Sequence, residues 1–219
     1  MDILLDPNAI RVLGVLLEKG MATPDHYPMT LNALIAGCNQ KSSREPVTAL
    51  SEADVLDALD PLREARMAGP IRTAGSRTTK YEERLAENFH MNRRELAVLA
   101  VLMLRGPQTV GELRNRTGRM YEFNGLSEVE RTLKELEARE DGPWVIELPR
   151  RPGRKEPRFA HLLGGPVAEA QTPEAESETG PTREPVSERM ARLEAEVADL
   201  REEVMALREA VAEFRELLE

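Results

Sequence analysis

Residues 10–20 (IRVLGVLLEKG) and 96–106 (LAVLAVLMLRG) are two copies of one pattern, an apolar helix ending on a basic residue and a glycine, as a helix stop does. This internal repeat constrains the fold more than any other feature, because whatever architecture the first copy builds the second must build again. Each copy has a plausible start: Asp6 and Pro7 supply a cap and a first-turn proline, and Asn92 with Glu95 forms a capping box. A shorter helix follows at 30–36 and 109–115, opened both times by a threonine. A third begins at Leu50-Ser51-Glu52 and Leu126-Ser127-Glu128. It is expected to run to about Ala68 and Arg139, with Val55, Leu56, Leu59 and Leu62, and then Val129, Leu133 and Leu136, at helical spacing.

After each third helix the period becomes that of strands. In the second copy Trp144, Ile146 and Leu148 alternate with Val145 and Glu147, a Pro- and Arg-rich turn spans 149–157, and Phe159, His161 and Leu163 alternate on the return. The first copy has a shorter version at 71–73 and 78–81 around a turn at Ala74, Gly75 and Ser76. Three helices followed by a hairpin is the layout of a winged helix, a helix-turn-helix variant. The expected fold is therefore mainly α with small β wings: a first winged-helix domain over 1–90 and a second over 91–163. Two generic helical bundles with incidental hairpins are the alternative. The 219 residues leave room for one large or two small folded units.

The remainder divides into an acidic linker over 164–186, with four prolines and three glycines and no apolar period, and a helix over 187–219. Such a linker composition buries too little surface to offset the entropy of ordering. In the helix, Met190, Leu193, Val197, Leu200, Val204, Leu207, Val211, Phe214 and Leu218 recur three and four residues apart, a heptad seam. Val or Met at one seam position and Leu or Phe at the other favours a parallel pair. Its flanking pairs, Arg189 with Glu194, Glu196 with Arg201 and Glu203 with Arg208, are all opposite in sign, so a homodimeric coiled coil is expected. A helix folded back on its own domain or lying on a membrane is the alternative.

Charge is distributed unevenly. The net charge of −9 arises from 10 basic and 13 acidic groups in residues 1–90, 14 and 11 in 91–165, and 6 and 15 in 166–219. The acidity lies in the tail, and screening over about 10 Å keeps it from defining the partners of the other two parts. No run approaches the roughly 20 apolar residues of a membrane helix, and the amino terminus lacks a secretory pattern. A cytoplasmic protein that does not engage membranes is expected. Cys38 is the sole cysteine, and with only His26, His90 and His161 there is no zinc-ligand spacing. No metal or cofactor is expected. Neither paired carboxylates with a pocket, nor a nucleophile with a base, nor a phosphate-binding glycine loop is recognisable, so catalytic residues are not assigned and an enzyme is not expected.

The stretch 23–47, TPDHYPMTLNALIAGCNQKSSREPV, resembles the signature of the YceH family of bacterial proteins, and LRGPQT at 104–109, GELR at 111–114, EDGP at 140–143 and LPRRPGR at 148–154 extend the likeness over nearly the whole chain. Gly37 and Thr48 depart from the Ala and Met expected there. The resemblance implies a tandem winged-helix fold, one often labelled a possible transcription regulator, and no established activity.

A winged helix presents its third helix to the major groove and its wing to the backbone or minor groove. The candidate DNA contacts are Arg150, Arg151, Arg154, Lys155 and Arg158 on the second wing, Arg72, Arg77 and Lys80 on the first, Lys41 and Arg44 before the third helix, and Arg114, Arg116 and Arg119. Arginines on a hairpin tip neutralise phosphates or enter a narrow groove. The third helices fit DNA badly: Glu52, Asp54, Asp57 and Asp60 precede Arg63 in one, and Glu128 and Glu130 accompany Arg131 and Lys134 in the other. The polar stretch 39–46 either reads a ligand or simply caps helix ends, with Arg44 paired to a nearby acid. Two functions remain open: a dimeric DNA-binding regulator, and an adaptor whose winged helices bind another protein.

Overall fold

The computed structural model of the chain describes residues 4–72, 78–150 and 156–165. Two units divide the chain, 1–168 and 169–219; the description below concerns the first, and the seam positions Met190 to Leu218 lie outside the described residues. Helix α1 (Pro7–Ala22) starts where Asp6 accepts from the amides of Asn8 and Ala9 at 2.7 and 3.0 Å, with Pro7 in the first turn. Strand β1 (Met29–Thr30), helix α2 (Leu31–Cys38), helix α3 (Glu52–Glu64), strands β2 (Ala68–Ile71) and β3 (Lys80–Glu83) and the short helix α4 (Leu85–Asn88) complete the first repeat. Thr30 caps α2, and Ser51 with Asp54 forms a capping box at α3. The second repeat comprises α5 (Arg93–Arg105), α6 (Val110–Thr117), α7 (Leu126–Glu137), β4 (Val145–Leu148) and β5 (Arg158–His161). Capping boxes open α5 and α6, from Asn92 with Glu95 and from Thr109 with Glu112.

The element order thus recurs. In the first repeat β1 joins an antiparallel sheet in the order β1-β3-β2, with Met29 opposite Tyr81 and Ala68 opposite Glu83. In the second, Gln108 bridges Phe159 ahead of α6 while β4 pairs with β5. The described residues are mainly helical with two small antiparallel sheets.

The repeats share their interior. Helix α1 is buried from Ala9 to Leu17 and α5 from Glu95 to Leu104, because each packs against its own repeat on one side and the other's first helix on the other. A helix apolar all round needs such a two-sided setting. The crossing is close at Gly14, where an added Cβ would lie 3.0 Å from the Leu104 side chain and from Met103 Cβ. Leu5 N donates to Leu163 O at 2.8 Å, and Arg93 spans the repeats by donating to Met21 O at 3.1 Å and Met120 O at 2.9 Å. Gly37, the departure noted in the signature, has a cause: a Cβ there would meet Val15 Cγ1 at 2.7 Å.

Three boundaries differ from expectation. Helix α3 stops at Glu64, since Arg66 takes a positive φ of 58° and leads through the buried Met67 into the strand that begins at Ala68. The first hairpin accordingly sits nearer its base, at 68–71 and 80–83. In the second hairpin Val145 faces the interior and Ile146 is 39% exposed. Trp144 precedes the strand: its amide donates to Leu136 O, its Nε1 to Asp141 at 3.1 Å, and its ring meets Phe89 edge-on at 5.2 Å. That anchor sets the parity of the strand that follows.

Candidate nucleic-acid interface

The signature loop between α2 and α3 is largely a clasp. Asn39 imitates a strand partner, donating from Nδ2 to Leu50 O at 2.8 Å and accepting from Leu50 N at 2.7 Å, while the Thr48 hydroxyl donates to Cys38 O at 3.0 Å. Arg44 is buried. Its Nη2 lies 2.6 Å from Glu18 Oε2, and its nitrogens also donate to Gly37 O, Ser43 O and Gln40. Burial acts to raise the Glu18 pKa, but Arg44 and Lys19 outweigh it and hold the carboxyl below its ordinary value. Every nitrogen of Arg44 thus donates within the fold, to an acid as the second reading of the loop expected, whereas α3 is capped by Ser51 rather than by the stretch 39–46.

Arg11, which sequence reasoning passed over, is buried beside this clasp. Its Nη2 donates to Pro46 O at 2.6 Å and its Nη1 to Leu104 O at 3.5 Å, and burial followed by the charge of Arg44 lowers its pKa. A lone arginine within the otherwise apolar run 9–17 was the available signal, since a buried cation requires partners. Cys38, also buried, has its thiol pushed up to about 11 by burial, against the pull of Arg11 and Arg44.

Arg116 and Arg158 are held at the base of the second hairpin. Arg158 Nη1 donates to Pro107 O at 2.6 Å and lies 3.1 Å from Glu112, whose carboxylate also completes the α6 capping box. Arg116 donates to Gln108 Oε1 and stands 3.9 Å from Glu112. By contrast Lys41, Arg72, Arg114, Arg119 and Arg150 are exposed and Lys80 is half-buried. None of these six has a carboxylate within ion-pair distance among the described residues. Arg77, Arg151, Arg154 and Lys155 lie outside the described residues.

Each repeat also has a groove between its third helix and its hairpin, of about 530 Å³ and 490 Å³. The linings correspond in part: Leu56, Asp60 and Arg63 on α3 match Glu130, Lys134 and Glu137 on α7, Arg72 matches Arg150, and Tyr81 matches Phe159. In the first repeat Asp60 pairs with Arg63 at 3.1 Å, and Glu52, Asp57 and Glu64 are exposed on the same helix, whereas Asp54 is taken by its capping box. In the second, Glu130, Glu137, Glu147 and Glu156 outnumber Lys134 and Arg150 along the groove, with Leu126 exposed at its edge. No group of three or more metal-ligating side chains occurs among the described residues, and none of their helices is long and apolar enough to cross a membrane.

A family model described as a protein of unknown function, DUF480, matches residues 5–154. A UPF0502 protein of Geobacter metallireducens is 52% identical over 198 residues, 89% of each chain. The chain belongs to the UPF0502 family, also called YceH. Another UPF0502 protein, from Vibrio atlanticus, is 45% identical over 216 residues, covering 89% of this chain and 99% of its own. One from Opitutus terrae is 48% identical over 181 residues, covering 83% and 76%. The YceH resemblance carried by the signature stretch is thus borne out, and in this UPF0502 chain that stretch closes the core around Arg44 and Asn39.

Proposed function

We propose that the chain is a DNA-binding protein of two winged helices, paired with a second copy through its C-terminal heptads, and that its second repeat makes the principal contact. The observation that carries this reading is the outward set Arg114, Arg119 and Arg150. Arg150 lines the groove with Val110 and Gly111 of α6, and Arg114 stands one helical turn beyond them. Arg151, Arg154 and Lys155 follow Arg150 closely in the sequence. Because carboxylates outnumber cations along α7 and its groove, the expected binding is a backbone-dominated, salt-sensitive kind through the arginines outside that helix rather than base reading by the helix. The first repeat contributes little, as the exposed carboxylates of α3 repel phosphates.

The test is binding to random-sequence duplex DNA as a function of salt. Replacing Arg114, Arg119 and Arg150 by Ala should lower the log–log salt slope by roughly 0.9 for every phosphate these side chains neutralise, while R72A/K80A should leave it nearly unchanged. Failure of the wild type to bind at about 50 mM salt, where such contacts are strong, would overturn the reading. That outcome favours the adaptor, for which the exposed Leu56 beside the acidic face of α3 is the specific support.

A further inference from the structure

Where the signature loop of the first repeat meets the end of α5, positive charge outweighs negative: Arg11, Arg44, Arg105, Arg116 and Lys41 stand against Glu18, Glu112 and the exposed Glu45. Arg105 Nη2 donates to Ser43 Oγ at 2.6 Å, and Ser43 sits at a positive φ of 61°. Glu45 N donates to Leu104 O at 2.8 Å, so the loop is fixed against the helix end. Gln108 brings in a further cation: its Nε2 donates to Arg105 O at 3.1 Å while its Oε1 accepts from Arg116. Lys41 is exposed two residues before Ser43.

Of the guanidiniums of Arg11, Arg44 and Arg105, only that of Arg44 has a carboxylate within ion-pair distance among the described residues. Glu18 is engaged by Arg44 and Lys19, and Glu112 by Arg116 and Arg158. Burial first, then Arg116 and Arg44, depress the Arg105 pKa, against the opposing pull of Glu18 and Glu45. The last carbonyls of α5 supply a partial negative charge of about half a unit, which is already turned toward Arg11 at Leu104 O. Arg105 is half-buried, and one of its nitrogens is used. It therefore retains donors in the planar fork that suits a tetrahedral oxyanion.

We infer that this seam between the repeats, formed by Ser43 and Arg105 with Arg116 beside them and Lys41 two residues before Ser43 in the same loop, is a phosphate-binding site. Resting on the DNA reading, the phosphate is one of the duplex backbone, contacted by the seam in addition to the outward arginines of the second repeat. A free phosphate shares the chemistry, and two arms separate the sources.

In the first arm the full chain is titrated with labelled random duplex DNA against salt, comparing wild type, R105Q, R105K and R63Q, the last removing an exposed cation that pairs with Asp60. The expected result is a slope lower by about 0.9 in R105Q, several-fold weaker binding near 50 mM salt, partial retention in R105K, and no change in R63Q. Wild-type binding whose slope and affinity are the same in R105Q overturns the inference while leaving the DNA reading intact. In the second arm the wild type is titrated with inorganic phosphate and followed by backbone amide resonances. Saturable shifts at residues 41–45 and 105–108, against a chloride control, are expected; this arm needs no variant and so does not depend on one folding. Phosphate-dependent shifts in a protein that does not bind DNA keep the site and sink the DNA reading. Neither DNA binding nor phosphate shifts sinks both.

Discussion

Arg44 and Glu18 illustrate how a residue suited to binding serves the framework instead. The Arg44 side chain is fully buried and that of Glu18 is 18% exposed, so removing the guanidinium leaves a carboxylate short of its partner and three backbone or amide acceptors unfilled. R44A should lower unfolding free energy by about 3 kcal/mol, in line with breaking other buried pairs; urea denaturation showing a loss below about 1 kcal/mol, the scale of an exposed pair, would refute the assignment. The neighbouring Cys38 thiol, buried and pushed up to about 11, should not react with a thiol reagent at pH 8 until the protein unfolds. Rapid native labelling would contradict the burial. His161 has a buried Nδ1 with no partner among the described residues and a pKa pushed down to about 4 by burial. The folded state thus holds the neutral ring, so its contribution to stability is full above about pH 6.5 and is lost as pH falls from there toward 4. The urea midpoint should decline across that window, and H161L should flatten the decline.

At the scale of elements, helices were largely legible in the sequence because their signals are local: the Asp6, Asn92 and Thr109 caps lie where expected, and each apolar run is a helix. Hairpins were less so. Their register depends on the partner strand and on anchors such as Trp144, whose contacts with Phe89, Asp141 and Leu136 come from outside the strand. The candidate cations show the same divide. Exposure of Arg114 and Arg150 followed from their positions on a helix and a turn, but the carboxylate taken up by Arg158 arrives from α6, many residues away, and no spacing rule reveals it. Arg105 was hidden for a similar reason, since its importance comes from a loop that meets it only in the folded chain. Packing at the crossing of α1 and α5 gives a further test. G14V places new atoms against Leu104 and Met103 at 3.0 Å and should cost about 1–3 kcal/mol by overpacking, read as a lower urea midpoint with unchanged helix content. A midpoint equal to that of the wild type would mean that the crossing gives way to a larger side chain.

For the whole molecule, the shared interior of α1 and α5 has a thermodynamic signature. Residues 1–168 form one unit, so the first repeat, reported by Cys38 reactivity, and the second, reported by the fluorescence of Trp144, should lose structure at the same denaturant concentration. Two separated midpoints would show that the repeats fold independently. Pairing through the heptads is tested separately: L200D/L207D should halve the sedimenting mass while leaving the Trp144 transition in place, and a persistent dimer would move the contact elsewhere.

The union along α1 and α5 also fixes a geometry. A partner that touched both repeats would meet them at one separation and one angle, as between the jaws of a caliper rather than at the ends of a tether. Lengthened between those two points, it would have to bend or let go, since α1 and α5 share one packed interior.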